Sequence, residues 1–125
     1  MTENEISYEI RGAIFKVYNE LGPGLLESAY VAVLYYELEK RGLRVAKEAP
    51  VPLIYEEVHM DVGYRMDLKV ENKVLIEVKS VEKLTEVHHK FVTTYLKLAK
   101  LKLGILVNFA TSNIAGSIYR KVNGL

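Results

Sequence analysis

The sequence predicts an α/β fold: a mixed sheet of about four to five strands flanked by helices. Three observations predict it. Two amphipathic helices open the chain, a hairpin in its middle splits into an apolar and a charged face, and a later helix leads into a continuous apolar run. Antiparallel strands followed by a helical crossover to one more strand imply a mixed sheet with helices on its faces.

Ile6, Ile10, Ala13, Ile14, Val17, Tyr18 and Leu21 recur at helical spacing and place a helix over 4–21, with Thr2 and Glu5 as its capping box. Gly22-Pro23-Gly24 breaks it. Leu26, Ala29, Tyr30, Val33, Leu34 and Leu38 line the buried side of a second helix over 25–41, which Gly42 ends. Residues 44–55 alternate only loosely and contain Pro50 and Pro52, which suits an edge strand. Hairpin strands follow over 58–71 and 73–80. Thr85 is the expected N-cap of a third helix over 86–101. The run from Leu103 to Phe109 has the continuous apolar character of a strand buried on both faces. Residues 112–124 suggest a turn of helix and then a short strand. The order is therefore ααβββαβ with a possible final element. With 125 residues and no repeat or linker, one domain over 1–125 is expected.

The chain has no cysteine, so disulfides and thiolate metal sites are excluded. The opening MTENEISYEIRG lacks the apolar core of a signal peptide, and no uncharged apolar run approaches the roughly 18 residues of a membrane span. A cytoplasmic protein without a membrane partner is expected. The net charge of +1 decides nothing about nucleic acid. Its distribution says more: Lys90, Lys97, Lys100, Lys102, Arg120 and Lys121 make the C-terminal third basic. A local basic face engages phosphates without high overall charge, although a solvated helix face explains the same residues.

The hairpin RMDLKVENKVLIEVKS carries the chemistry. Strand side chains alternate with period two, so Leu68, Val70, Val74, Ile76 and Val78 share one face. Arg65, Asp67, Lys69, Leu75, Glu77 and Lys79 share the other. A three-residue turn of Glu71, Asn72 and Lys73 keeps that division in both strands. Asp67 then lies opposite Glu77, and Arg65 opposite Lys79. Directly opposed residues have Cβ atoms about 4.5–5.5 Å apart. Two carboxylates that close repel unless one is protonated or a cation lies between them, which points to a divalent metal. The plain alternative is a pair of surface carboxylates neutralised by Arg65 and Lys79.

A carboxylate on one strand and Glu-x-Lys on the next, within this order of elements, resembles the PD-(D/E)XK nucleases and their restriction-endonuclease-like core. The narrower resemblance is to the small GxxExxY proteins, carried by Gly24-Leu25-Leu26-Glu27-Ser28-Ala29-Tyr30 and by TYLKLAKLKLGILVNF. It spans essentially the whole chain. Chemistry and resemblance agree on Asp67 and Glu77 as hard oxygen ligands for Mg²⁺ or Mn²⁺. The superfamily implies the Val78 carbonyl as a further ligand. Lys79, on the same face, would orient the attacking water and offset charge developing on the phosphorane. Glu27 stands where a helix start favours a carboxylate for any function. The resemblance makes it a second-metal or indirect ligand as well. Tyr30, one turn on, either bonds within the site or belongs to the core with a wet hydroxyl. Arg65, with Lys79, suits an anionic phosphodiester, and Lys97 on the basic helix would contact the backbone.

Relatives resemble one another in a Gln-x-x-x-Tyr pattern on the third helix. Here Tyr95 matches, and Phe91 replaces the amide. If the ring packed under the site, its replacement by Gln would cost about 1–3 kcal/mol. His88 and His89 are expected at a solvated helix start, pointing about 100° apart and so unable to share one ion. The function implied is metal-dependent hydrolysis of phosphodiesters in DNA, with a homodimer providing enough surface for sequence-specific cleavage. The alternatives are a catalytically silent module of the same fold that docks nucleic acid or protein, and a hydrolase acting on another phosphorylated substrate.

Overall fold

Helix α1 (Glu3–Leu21) starts at the expected capping box, in which the Thr2 N–H donates to Glu5 Oε1 at 2.8 Å and the Glu5 N–H donates to Thr2 Oγ1 at 3.1 Å. Helix α2 (Glu27–Lys40) follows the Gly-Pro-Gly break. The strands are β1 (Val45–Pro50), β2 (Leu53–Tyr55), β3 (Val58–Met60), β4 (Arg65–Val70) and β5 (Val74–Lys79). Helix α3 (Glu86–Ala99), β6 (Leu103–Asn108), a short 3-10 turn (Ile114–Ser117) and β7 (Ile118–Val122) complete the chain. This computed structural model describes residues 1–125.

Five strands form a mixed sheet in the order β1-β4-β5-β6-β7, antiparallel except for the parallel β5–β6 pair that α3 connects. Leu68, Val70, Val74, Ile76 and Val78 all face α1 and α2, packing with Ile6, Ile10, Ile14, Leu34 and Leu38. Leu75 and Leu106 face Val92 and Leu96 of α3 on the other side. The central strand β5 is therefore covered on both faces, and its one acidic residue, Glu77, is buried with it. Gly104 permits the close approach of α3. A Cβ there would lie 3.0 Å from a Val92 methyl and 3.3 Å from Leu75 and Leu96 side chains.

The register of the hairpin is the one the apolar pattern requires. Leu68 pairs with Ile76, Lys69 with Leu75 and Val70 with Val74, around the turn Glu71-Asn72-Lys73. Three expectations fail at or beside its open end. The strand expected over 58–71 is two strands: β3 pairs only with β2 in a separate two-stranded sheet, and β4 alone joins the main sheet. Gly63, at φ +78°, turns the chain between them, with its N–H held by Asp61 Oδ1 at 3.3 Å. The expected edge strand over 44–55 divides likewise, into β1 on the main sheet and β2 on the small one. Arg65 also pairs with Pro50 of β1 rather than standing in a ladder with Lys79, because the β4–β5 ladder ends at Leu68.

Candidate active site

Beyond Leu68 the β4–β5 ladder gives way, and two carboxylates take over its hydrogen bonds. The Asp67 N–H donates to Glu77 Oε1 at 3.0 Å, and the Val78 N–H donates to Asp67 Oδ2 at 2.8 Å. Each acid thus accepts from the opposite strand where a ladder carbonyl would otherwise do so. A second irregularity aims Asp67. Glu48 stands beside it in β1 with φ +50°, and the β1–β4 pairing skips the Glu48–Asp67 step. Met66 packs toward α3 while Leu68 packs toward α1 and α2, so simple alternation breaks across Asp67.

Asp67 opens into a cleft of about 450 Å³ that it shares with Glu27, Lys47 and Glu48. Glu27, at the first turn of α2, accepts a hydrogen bond from the Ser80 N–H at 2.9 Å, and Ser80 Oγ donates to the Leu25 carbonyl at 2.8 Å. These two bonds tie the start of α2 to the chain just past Lys79. Asn108 holds the same loop from the other side. Its amide accepts from the Val81 N–H at 3.1 Å and donates to the Val81 carbonyl at 2.9 Å.

The electrostatics follow from this packing. Burial raises the Glu77 pKa first and the neighbouring Asp67 charge raises it further, to about 8. Burial also raises Asp67, with Glu27 and Glu48 adding to the effect, while the Val78 N–H and Lys79 oppose it. Neither acid forms an ion pair, and Lys79 and Arg65 form none either. The pair is thus not the neutralised surface network that was the plain alternative. Its hard oxygens, closeness and shared resistance to ionisation fit a divalent cation. No three side chains of His, Cys, Asp or Glu converge into a cage, so the remaining ligand positions of any bound ion would fall to main-chain carbonyl and water.

A family model described as the PD-(D/E)XK nuclease superfamily matches residues 4–121. The chain belongs to this superfamily. No curated protein and no solved structure matches the chain. The three helices and mixed five-stranded sheet agree with the restriction-endonuclease-like core that membership implies.

In this PD-(D/E)XK chain some anticipated site residues lie elsewhere. Tyr30 is fully buried and stacked on Phe109 at 4.1 Å, and its hydroxyl donates to the Gly22 carbonyl at 2.5 Å and accepts from the Leu25 N–H at 3.2 Å. It latches the Gly-Pro-Gly loop to the core, which leaves no group for substrate. Arg65 is exposed and donates to the Tyr64 carbonyl at 3.0 Å. Tyr95 is half-buried; burial raises its pKa, and the Glu77, Tyr64 and Asp67 charges raise it further. Lys97 is exposed on α3. His88 is not free in solvent. Its Nδ1 accepts from the Thr85 N–H at 3.0 Å and caps α3, whereas His89 packs edge-on against Tyr119 at 4.7 Å.

Phe91 does not pack under the site. It is 55% exposed. Phe91→Gln is therefore expected to shift stability by no more than about 0.5 kcal/mol, in place of the loss expected for a buried ring. Thermal unfolding of the two proteins checks this, and a clear drop in midpoint would place the ring in the core after all.

Proposed function

We propose that this protein is a metal-dependent nuclease that hydrolyses phosphodiester bonds in DNA, with Mg²⁺ or Mn²⁺ held by Asp67, Glu77 and the Val78 carbonyl. The observation that carries it is the reciprocal Asp67–Glu77 pair: two adjacent, desolvated carboxylates with no cation of the protein paired to either. Such a metal supplies a Lewis acid that lowers the pKa of a bound water and polarises the phosphate. Lys79 extends from the same strand end and lowers the pKa of both acids through its charge; in this reading its ammonium orients the attacking water and offsets phosphorane charge. Ser80, held to Glu27, and Val81, held to Asn108, fix the backbone on which Lys79 stands. Glu27, in the same cleft as Asp67, serves as an indirect or second-metal ligand. Arg65, Tyr95 and Lys97 are the proposed contacts for the phosphate backbone, and a homodimer in the cytoplasm completes the proposal. No helix is long and apolar enough to cross a membrane.

Cleavage should require Mg²⁺ or Mn²⁺, and Lys79→Ala should lower it by about 10²–10³-fold while leaving metal binding largely intact, as expected for a group that acts on the transition state and is not a ligand. Plasmid nicking with and without EDTA, paired with calorimetric Mn²⁺ titration, measures both. Cleavage that persists in EDTA, or full activity in the variant, would contradict this mechanism. No metal-dependent cleavage by the wild type would favour the catalytically silent binding module, in keeping with Phe91 where relatives resemble one another in Gln.

A further inference from the structure

Phe91 leaves a large apolar ring in water, and it does not stand alone. Positions four apart share a helix face, so Val87, Phe91 and Tyr95 form a stripe along α3. Val87 is 54% and Phe91 55% exposed. Tyr64, 50% exposed at the start of β4, tilts its ring toward Tyr95 at 5.9 Å. Tyr95 in turn lies within the electrostatic reach of Glu77 and Asp67. Three aromatic rings thus run from α3 to the start of β4, and two of them spend half their surface on solvent that no element of the fold removes.

The charges around the rings select an occupant. Arg65, which follows Tyr64 directly in the chain, and Lys79, whose charge acts on both acids, have no acidic partner in an ion pair. Glu56 and Glu57, in the turn between β2 and β3, and Asp61, just past β3, make that small hairpin acidic and unfavourable for a polyanion. Unpaired cations together with exposed rings match a single strand, whose phosphates meet the charges and whose bases stack on the rings. A duplex keeps its bases paired and stacked inward, so it offers the rings little.

Resting on the nuclease reading above, we infer that Phe91, Tyr64 and Tyr95 form a stacking platform that makes unpaired nucleic acid the preferred substrate. Phe91 thereby replaces a polar contact with a base contact. The rings hold the strand, and the acids and Lys79 act on the phosphate beside it.

Fluorescence anisotropy in EDTA, with a labelled oligothymidylate of about twelve nucleotides and a duplex of the same length, tests the platform without requiring turnover. The oligothymidylate should bind more tightly than the duplex. Phe91→Ala and Tyr64→Ala should each weaken it roughly tenfold, and Phe91→Tyr should retain it. Phe91→Leu separates stacking from apolar cover, and it should behave like the alanine variant. Tighter duplex binding, wild-type binding by Phe91→Leu, or no binding of either probe would overturn the inference. It would also be overturned if Phe91→Ala dispersed a dimer in sedimentation without changing oligonucleotide binding, since the rings would then be a protein contact. The two readings fail separately. Ring-dependent strand binding with no metal-dependent cleavage would remove the nuclease and keep the platform. Asp67-dependent duplex cleavage indifferent to the rings would do the reverse.

Discussion

Asp67→Asn and Glu77→Gln should each abolish Mn²⁺ binding while leaving the fold intact or slightly more stable. Either amide keeps an oxygen where the carboxylate oxygen accepts its hydrogen bond, from the Val78 N–H or from the Asp67 N–H. The strand end therefore stays closed. What disappears is one carboxylate of a desolvated pair in which the Asp67 charge raises the Glu77 pKa. A hard divalent cation loses half of its anionic ligand set, and an amide oxygen replaces it poorly. Calorimetric titration should show measurable heat for the wild type and none for either variant, and thermal unfolding without metal should show midpoints equal to or above the wild type. Unchanged Mn²⁺ affinity in both variants would remove the metal site, and with it the proposed chemistry.

The parts of this site that could be read in the sequence are those governed by local periodicity. The apolar set Leu68, Val70, Val74, Ile76 and Val78 fixes one register, because a slip of one residue would turn all five toward the wrong face. That register carries Asp67 to Glu77 without any tertiary information. Lys79 follows from the same parity. The capping box at Thr2 and the cap at Thr85 are likewise local.

What could not be read depends on contacts distant in sequence or on departures from regular backbone. Glu48 enters the cleft because its φ is +50° and the ladder skips it, and no alternation pattern signals this. Parity likewise cannot place Met66 and Leu68 on opposite faces. Lys47 enters the same cleft and is further held over the Tyr35 ring at 4.6 Å, a cation–π contact between α2 and β1 that only the fold creates. Asn108 did leave a signal: it is the one polar residue in GILVNF, and a polar side chain at the end of a buried strand needs partners. Val81 supplies them. Tyr30 misled because a tyrosine one turn beyond an acidic residue suits a site as well as a core. The stacking of Tyr30 on Phe109, far along the chain, decides between the two. For Phe91 the substitution was visible, but the exposure of its ring was not, since helical spacing places it at the margin between the buried and open faces.

The second large effect concerns pH. Without metal, the wild type should lose stability as pH rises from about 4.5 to 8, and Glu77→Gln should remove most of that slope. Glu77 holds its proton in the folded chain up to about 8, whereas in the unfolded chain it releases it near the ordinary value of 4.5. Between those values the folded state binds more protons, so raising the pH favours unfolding, by about 1.4 kcal/mol per pH unit while one full proton separates the states. Asp67, raised as well, adds to the slope at the acid end of this window. Other groups act with opposite sign. Burial and the Lys121 and His88 charges depress the pKa of His89, so the stability tied to His89 grows as pH rises toward its ordinary 6.5 and blunts the slope there. Glu37 tends upward through burial but is lowered on balance by Lys16 and Arg41, so the stability it contributes is lost only as pH falls below about 4.5. Together these place the optimum of the metal-free protein on the acid side of neutrality. Since Glu77→Gln leaves His89 and Glu37 untouched, the difference between the two urea-unfolding profiles isolates the carboxylate pair. Saturating Mn²⁺ should flatten or reverse the wild-type slope, because the ion binds the ionised pair and displaces its proton. A metal-free wild type whose stability is level or rising from pH 5 to 8, with Glu77→Gln following the same curve, would mean that Glu77 ionises normally and that its site is open to water.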